Sequence, residues 1–115
     1  MKSALCLLPL PLVPATAGLR FTAQTIDDKI SIGYGRAIGD VDGDGKPDIL
    51  LADAKEIVWY QNPSWKKSVI AKNLTLRDNV CLAARDIDSD GKVEIAVGAQ
   101  WNPGETTNTA ESGAV

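Results

Sequence analysis

The sequence predicts an all-β chain made of propeller-type blades. It holds about one complete four-stranded blade plus part of a second, and so reads as a fragment of a larger propeller. Three observations lead there. A fourteen-residue pattern of acids, glycines and branched apolar residues occurs twice, with Asp86 following Asp40 by 46 residues. Short β-forming runs flank both copies. No segment sustains a helical periodicity.

The two copies are Gly39-Asp40-Val41-Asp42-Gly43-Asp44-Gly45-Lys46-Pro47-Asp48-Ile49-Leu50-Leu51-Ala52 and Arg85-Asp86-Ile87-Asp88-Ser89-Asp90-Gly91-Lys92-Val93-Glu94-Ile95-Ala96-Val97-Gly98. A repeat of this length is the span of one blade or another stacked unit, because each unit buries its apolar face only against a neighbour.

Residues 1–17 read as a signal peptide. Lys2 gives the positive start, Ala4 to Val13 is apolar apart from Pro9 and Pro11, and Ala15-Thr16-Ala17 is an A-x-A cleavage pattern. The run is too short for a membrane span and its prolines would break a helix. Cleavage there removes Cys6 and leaves Cys81 without a disulfide partner. Between Val80 and Leu82, it is expected to be a small buried strand residue.

Residues 18–35 form an N-terminal segment, with Phe21 to Ile26 as a possible edge strand. The repeats cover 36–115. Blade 1 spans about 36–72, with strands at Arg36–Gly39, Asp48–Ala52, Glu56–Gln61 and Lys67–Ala71. Asn62-Pro63-Ser64 turns the chain between the last two. A partial blade 2 spans about 80–115. Its strands are Val80–Arg85 and Glu94–Gly98, followed by a polar loop over Gln100–Ser112 and the onset of a third strand at Gly113-Ala114-Val115. The chain stops where that blade would continue.

The composition narrows the chemistry. The net charge is −3 and no basic cluster exceeds Lys66-Lys67, so nucleic acid is not the expected partner. The chain has no His, which excludes a His triad, a His metal site and a His general base among these residues. What remains is a surplus of carboxylates at alternate positions. Residues i, i+2 and i+4 of a tight loop can turn their side chains to one centre, and glycine supplies the backbone conformation that wraps it. A hard cation such as calcium takes six to eight oxygen ligands.

The expected calcium ligands are therefore Asp40, Asp42, Asp44, the Lys46 carbonyl and Asp48 in the first loop. In the second they are Asp86, Asp88, Asp90, the Lys92 carbonyl and Glu94. The alternative is a pair of solvated acidic turns. An EF-hand or dockerin-like loop needs an acid at its twelfth position, where this chain has Leu51 and Val97.

The two loops, each followed by a β-forming run (Ile49-Leu50-Leu51-Ala52 and Ile95-Ala96-Val97-Gly98), resemble FG-GAP/VCBS repeats, as in integrin-α-like propellers. The resemblance implies a calcium-binding β-propeller with the ion in the hairpin between the first two strands of a blade. Glu56 to Asn62 with Val69-Ile70-Ala71 looks more specifically like secreted bacterial VCBS proteins, similar to the propeller of aldos-2-ulose dehydratase. That would make a secreted sugar lyase or isomerase the parent, with its catalytic groups downstream, and no catalytic residue carries over to this chain. The first expectation is a secreted binding or scaffold module for an extracellular carbohydrate or protein, without a membrane span once the leader is cleaved. Among the aromatics, Trp59 is expected in blade-to-blade packing, and Trp101, beside Asn102-Pro103-Gly104, is the candidate for ligand contact.

Overall fold

The computed structural model describes residues 18–102, 104, 107, 110 and 113–115. The expected signal peptide, residues 1–17, lies outside them. The described residues form an all-β structure. Strands β1 (Gly35–Gly39), β2 (Asp48–Ala52), β3 (Glu56–Gln61) and β4 (Lys66–Lys72) make one antiparallel sheet in the order β1-β2-β3-β4. Strands β5 (Asn79–Arg85) and β6 (Glu94–Ala99) pair antiparallel as a second sheet. These limits match the sequence expectation to within a residue, because Gly, Asp and Asn-Pro turns punctuate runs of β-branched residues.

Strand β2 is the centre of the fold. Leu50 and Ala52 are 0% exposed and Leu51 only 5%, so this strand is covered on both sides. Successive side chains point to opposite faces. On one face Leu51, Val58 and Tyr60 form the core, with Ile26, Ile49 and Trp65 packed against it. On the other, Ala52 lies beside Gly35, and β5 lies over that glycine. A Cβ on Gly35 would come within 2.9 Å of the Cys81 carbonyl carbon and the Leu82 nitrogen, so β5 rests on bare backbone. Trp59 is half-buried on the Leu50 face, while Tyr60 is buried on the opposite one.

The outer strand β4 carries Lys66, Lys67 and Lys72. Its pairing with β3 slips by one residue beside Ile57 and Val58, a bulge that spoils a regular edge. Charges and bulges on an edge strand both discourage pairing with a foreign chain.

Two expectations are corrected. Phe21 to Ile26 forms no strand, and Phe21 is 90% exposed. The N-terminal segment is held by side chains instead of a β-ladder. The Asp53 carboxylate accepts the amides of Ser31 (3.0 Å), Ile32 (2.6 Å) and Gly33 (3.1 Å). The Asp27 carboxylate accepts the Tyr60 hydroxyl at 2.6 Å and meets the Lys67 ammonium at 3.2 Å. Cys81 is exposed and not buried. It stands opposite Gly98 on the outward face of the β5–β6 pair, and Leu82 takes the inward position. The expected third-strand onset is present as a bridge between Ala99 and Ala114, whose amides and carbonyls exchange bonds at 2.8 and 3.0 Å.

Candidate metal loops

Both Asp-rich segments are hairpin loops, joining β1 to β2 and β5 to β6. Each is curled by its own carboxylates, through the same five hydrogen bonds. Gly43 and Ser89 donate their amides to Oδ1 of Asp40 and Asp86 at 2.7 and 2.6 Å. Gly45 and Gly91 donate to Oδ2 of the same acids at 2.7 and 3.0 Å. Asp44 and Asp90 donate to Asp42 and Asp88 at 3.2 and 3.1 Å. Lys46 and Lys92 donate to Asp44 and Asp90 at 2.9 and 2.8 Å. Val41 and Ile87 donate to Asp48 and Glu94 at 3.1 and 2.8 Å. Gly43, Gly45 and Gly91 adopt positive φ of 81°, 81° and 90°, where a glycine carries no steric penalty.

The carboxylates converge, though not as one uniform set of four. In the first loop Asp40, Asp42 and Asp48 each place an oxygen within 4.8 Å of the others. Asp44 turns aside to the Lys46 ammonium at 2.6 Å. The hydrogen bond and charge of Lys46 hold that carboxyl below its ordinary range, and Asp44 in turn raises the lysine. In the second loop Asp86, Asp88 and Asp90 converge, and Glu94 braces the Ile87 amide.

The first loop is the more deeply set. Asp48 is 0% exposed and accepts a second amide, that of Asn62 at 2.8 Å, from the β3–β4 turn. The Gln61 side-chain amide donates to Asp42 Oδ2 at 2.6 Å. The aliphatic stem of Lys92 lies over Gly43, where a Cβ would meet its Cε at 3.0 Å. Spacing within a loop does not reveal Gln61, Asn62 and Lys92, because they arrive from other turns.

These residues fit a hard divalent cation. The donors are carboxylate oxygens, and calcium–oxygen bonds run about 2.3–2.6 Å, so ligands on opposite sides of the ion lie about 4.8 Å apart. Three oxygens within 4.8 Å of one another can therefore share one calcium-sized sphere. Each carboxylate oxygen has two lone-pair directions, so an amide bond does not exhaust it.

Neither a curated protein nor a solved structure matches the chain. The sequence profile of FG-GAP-like repeats matches residues 20–97, well over half of its length. That span takes in both hairpin loops and all of the first sheet. The chain belongs to the FG-GAP-like repeat family.

Proposed function

We propose that each hairpin loop holds one calcium ion, and that the chain is a calcium-stapled binding or scaffold module for an extracellular carbohydrate or protein. The repetition of five carboxylate-to-amide bonds in two loops with convergent acids is the observation that carries this reading. The first site would use Asp40, Asp42 and Asp48, with Asp44 and the Lys46 carbonyl as further donors. The second would use Asp86, Asp88 and Asp90, with Glu94 and the Lys92 carbonyl. A bound cation would offset the mutual repulsion of the clustered carboxylates.

Secretion is part of the same reading. It is supported by Lys2, the apolar run to Val13 and the Ala15-Thr16-Ala17 pattern. Among the described residues no helix is long and apolar enough to cross a membrane. The finer likeness, to secreted bacterial VCBS proteins, rests on Glu56 to Asn62 and Val69 to Ala71.

Thermal melting in calcium and in chelator tests the proposal. A cation that binds only the folded loop stabilises by about 2.7 kcal/mol at a hundredfold excess over Kd. Calcium should raise the Tm, and Asp42→Ala with Asp88→Ala should remove that gain. Equal curves with calcium and chelator would rule the metal sites out.

A further inference from the structure

We propose that the two acidic loops fill with calcium cooperatively, coupled through the single peptide unit between Lys92 and Val93. This rests on the reading of both loops as calcium sites and adds a regulation to it: the second loop sets the affinity of the first.

That peptide unit has a group on each loop. Its N–H, that of Val93, donates to the Asp40 carbonyl of the first loop at 2.9 Å. Its oxygen, that of Lys92, is the carbonyl expected as a donor in the second loop. Among the described residues this oxygen accepts no hydrogen bond. The unit is trans. In a planar trans unit the C=O and N–H point in opposite directions, so the Lys92 oxygen faces away from Asp40. Turning the unit to suit one loop therefore disturbs its contact with the other.

Both ends of the link are central to their loops. The Lys92 amide donates to Asp90 Oδ1 at 2.8 Å, and Asp90 is one of the three acids that converge in the second loop. The Asp40 carboxylate accepts the Gly43 and Gly45 amides, each at 2.7 Å, and belongs to the convergent trio of the first. The stem of Lys92 also crosses over, lying above Gly43. One peptide thus joins the organising acid of the first loop to the expected ligand set of the second.

The coupling follows from the chemistry of that unit. Without a cation the acids of the second loop repel one another. A cation at the Lys92 oxygen fixes the peptide and polarises it, which makes its N–H a stronger donor to Asp40. The first loop then has less to order when it binds in turn. In the first loop the residue matching Val93 is Pro47, which has no amide hydrogen. This place in the repeat therefore tolerates proline, at the loss of the donor.

The test is an NMR titration of the full chain with calcium, in which the Gly45 and Gly91 amides report the first and second loops separately. In Asp88→Ala the first loop should need at least about fivefold more calcium to fill than in the unaltered chain. Val93→Ala keeps the amide and should keep that dependence. Val93→Pro removes the amide hydrogen and should abolish it, so that adding Asp88→Ala no longer moves the Gly45 midpoint. A field effect of the lost carboxylate would survive in the proline chain, and that result overturns the proposal. In Asp42→Ala, where the second loop alone fills, calcium should slow hydrogen exchange at the Val93 amide. Unchanged exchange there overturns the proposal whether or not Val93→Pro folds. A Gly45 midpoint indifferent to Asp88→Ala, with both loops filling in the unaltered chain, sinks the coupling alone. No calcium response at Gly45 or Gly91 in the unaltered chain sinks the metal loops as well.

Discussion

The Val93 amide donates to the Asp40 carbonyl at 2.9 Å, so the end of the second acidic loop is tied to the start of the first. Beside this bond the Val93 side chain fills the space where Gly39 has none. A Cβ there would come within 2.7 Å of Val93 Cγ1 and 3.1 Å of Cγ2. Gly39→Ala should therefore destabilise by about 1–3 kcal/mol, the usual cost of overpacking. Val93→Ala in the same chain should recover most of it. Urea denaturation of the four-member cycle should give a coupling above about 0.5 kcal/mol.

Asp53→Ala removes the acceptor of the Ser31, Ile32 and Gly33 amides. The loss should be about 1–3 kcal/mol, since bonds to a charged acceptor are among the stronger ones. Limited proteolysis should show new cleavage between residues 18 and 33 before the first sheet is cut. An unchanged cleavage pattern would mean that Ile26 and Asp27 hold the segment without the Asp53 carboxylate.

The same segment should respond to acid. The Tyr60 hydroxyl first, then the Lys29 amide and Lys67, bring the Asp27 carboxyl down from 3.8 to about 2. Burial pushes Asp53 up, but the amides of Ile32, Ser31, Ala54 and Gly33 outweigh it and leave its carboxyl below the ordinary value. A depressed folded pKa contributes stability above the unfolded value that is lost as pH falls through the folded one. Protection of residues 26–33 from hydrogen exchange should thus decline from about pH 4 towards 2. Tyr60→Phe should move the Asp27 titration upward in a carboxyl-carbon NMR experiment, with Lys67, itself raised by Glu56, still in place.

Asp48 and Glu94 occupy matching positions but should not be equally costly to change. Asp48→Asn sets an NH2 group against one of two backbone amides at a site with 0% exposure. The cost should be about 1–3 kcal/mol. Glu94→Gln, at an exposed residue with one amide to serve, should stay within about 1 kcal/mol. Melting in chelator reads both effects without any cation contribution.

The strand limits were legible because local chemistry sets them. Asp48 to Ala52 and Glu56 to Gln61 were expected at the limits they have, being β-forming runs bounded by turn residues. The curled loops were legible because alternate acids and glycines act within nine residues of chain. Asp44, expected among the ligands, lies outside the convergent trio because it has an equally local competitor, the Lys46 ammonium two residues on. The N-terminal segment was not legible, since its anchors bridge 33 residues from Asp27 to Tyr60 and 22 from Ser31 to Asp53. Cys81 shows the limit of alternation. Period two separates it from Leu82, but which of the two faces blade 1 depends on where β5 docks.

Gly35 and Cys81 hold corresponding places in the repeat, the first opposite Ala52 and the second opposite Gly98. The missing side chain at Gly35 is what lets β5 settle on β1. On β5 itself the gap is filled by a thiol. A strand docked on this face of β5 as β5 docks on β1 would have to stand off by a side chain's thickness or slide along its axis.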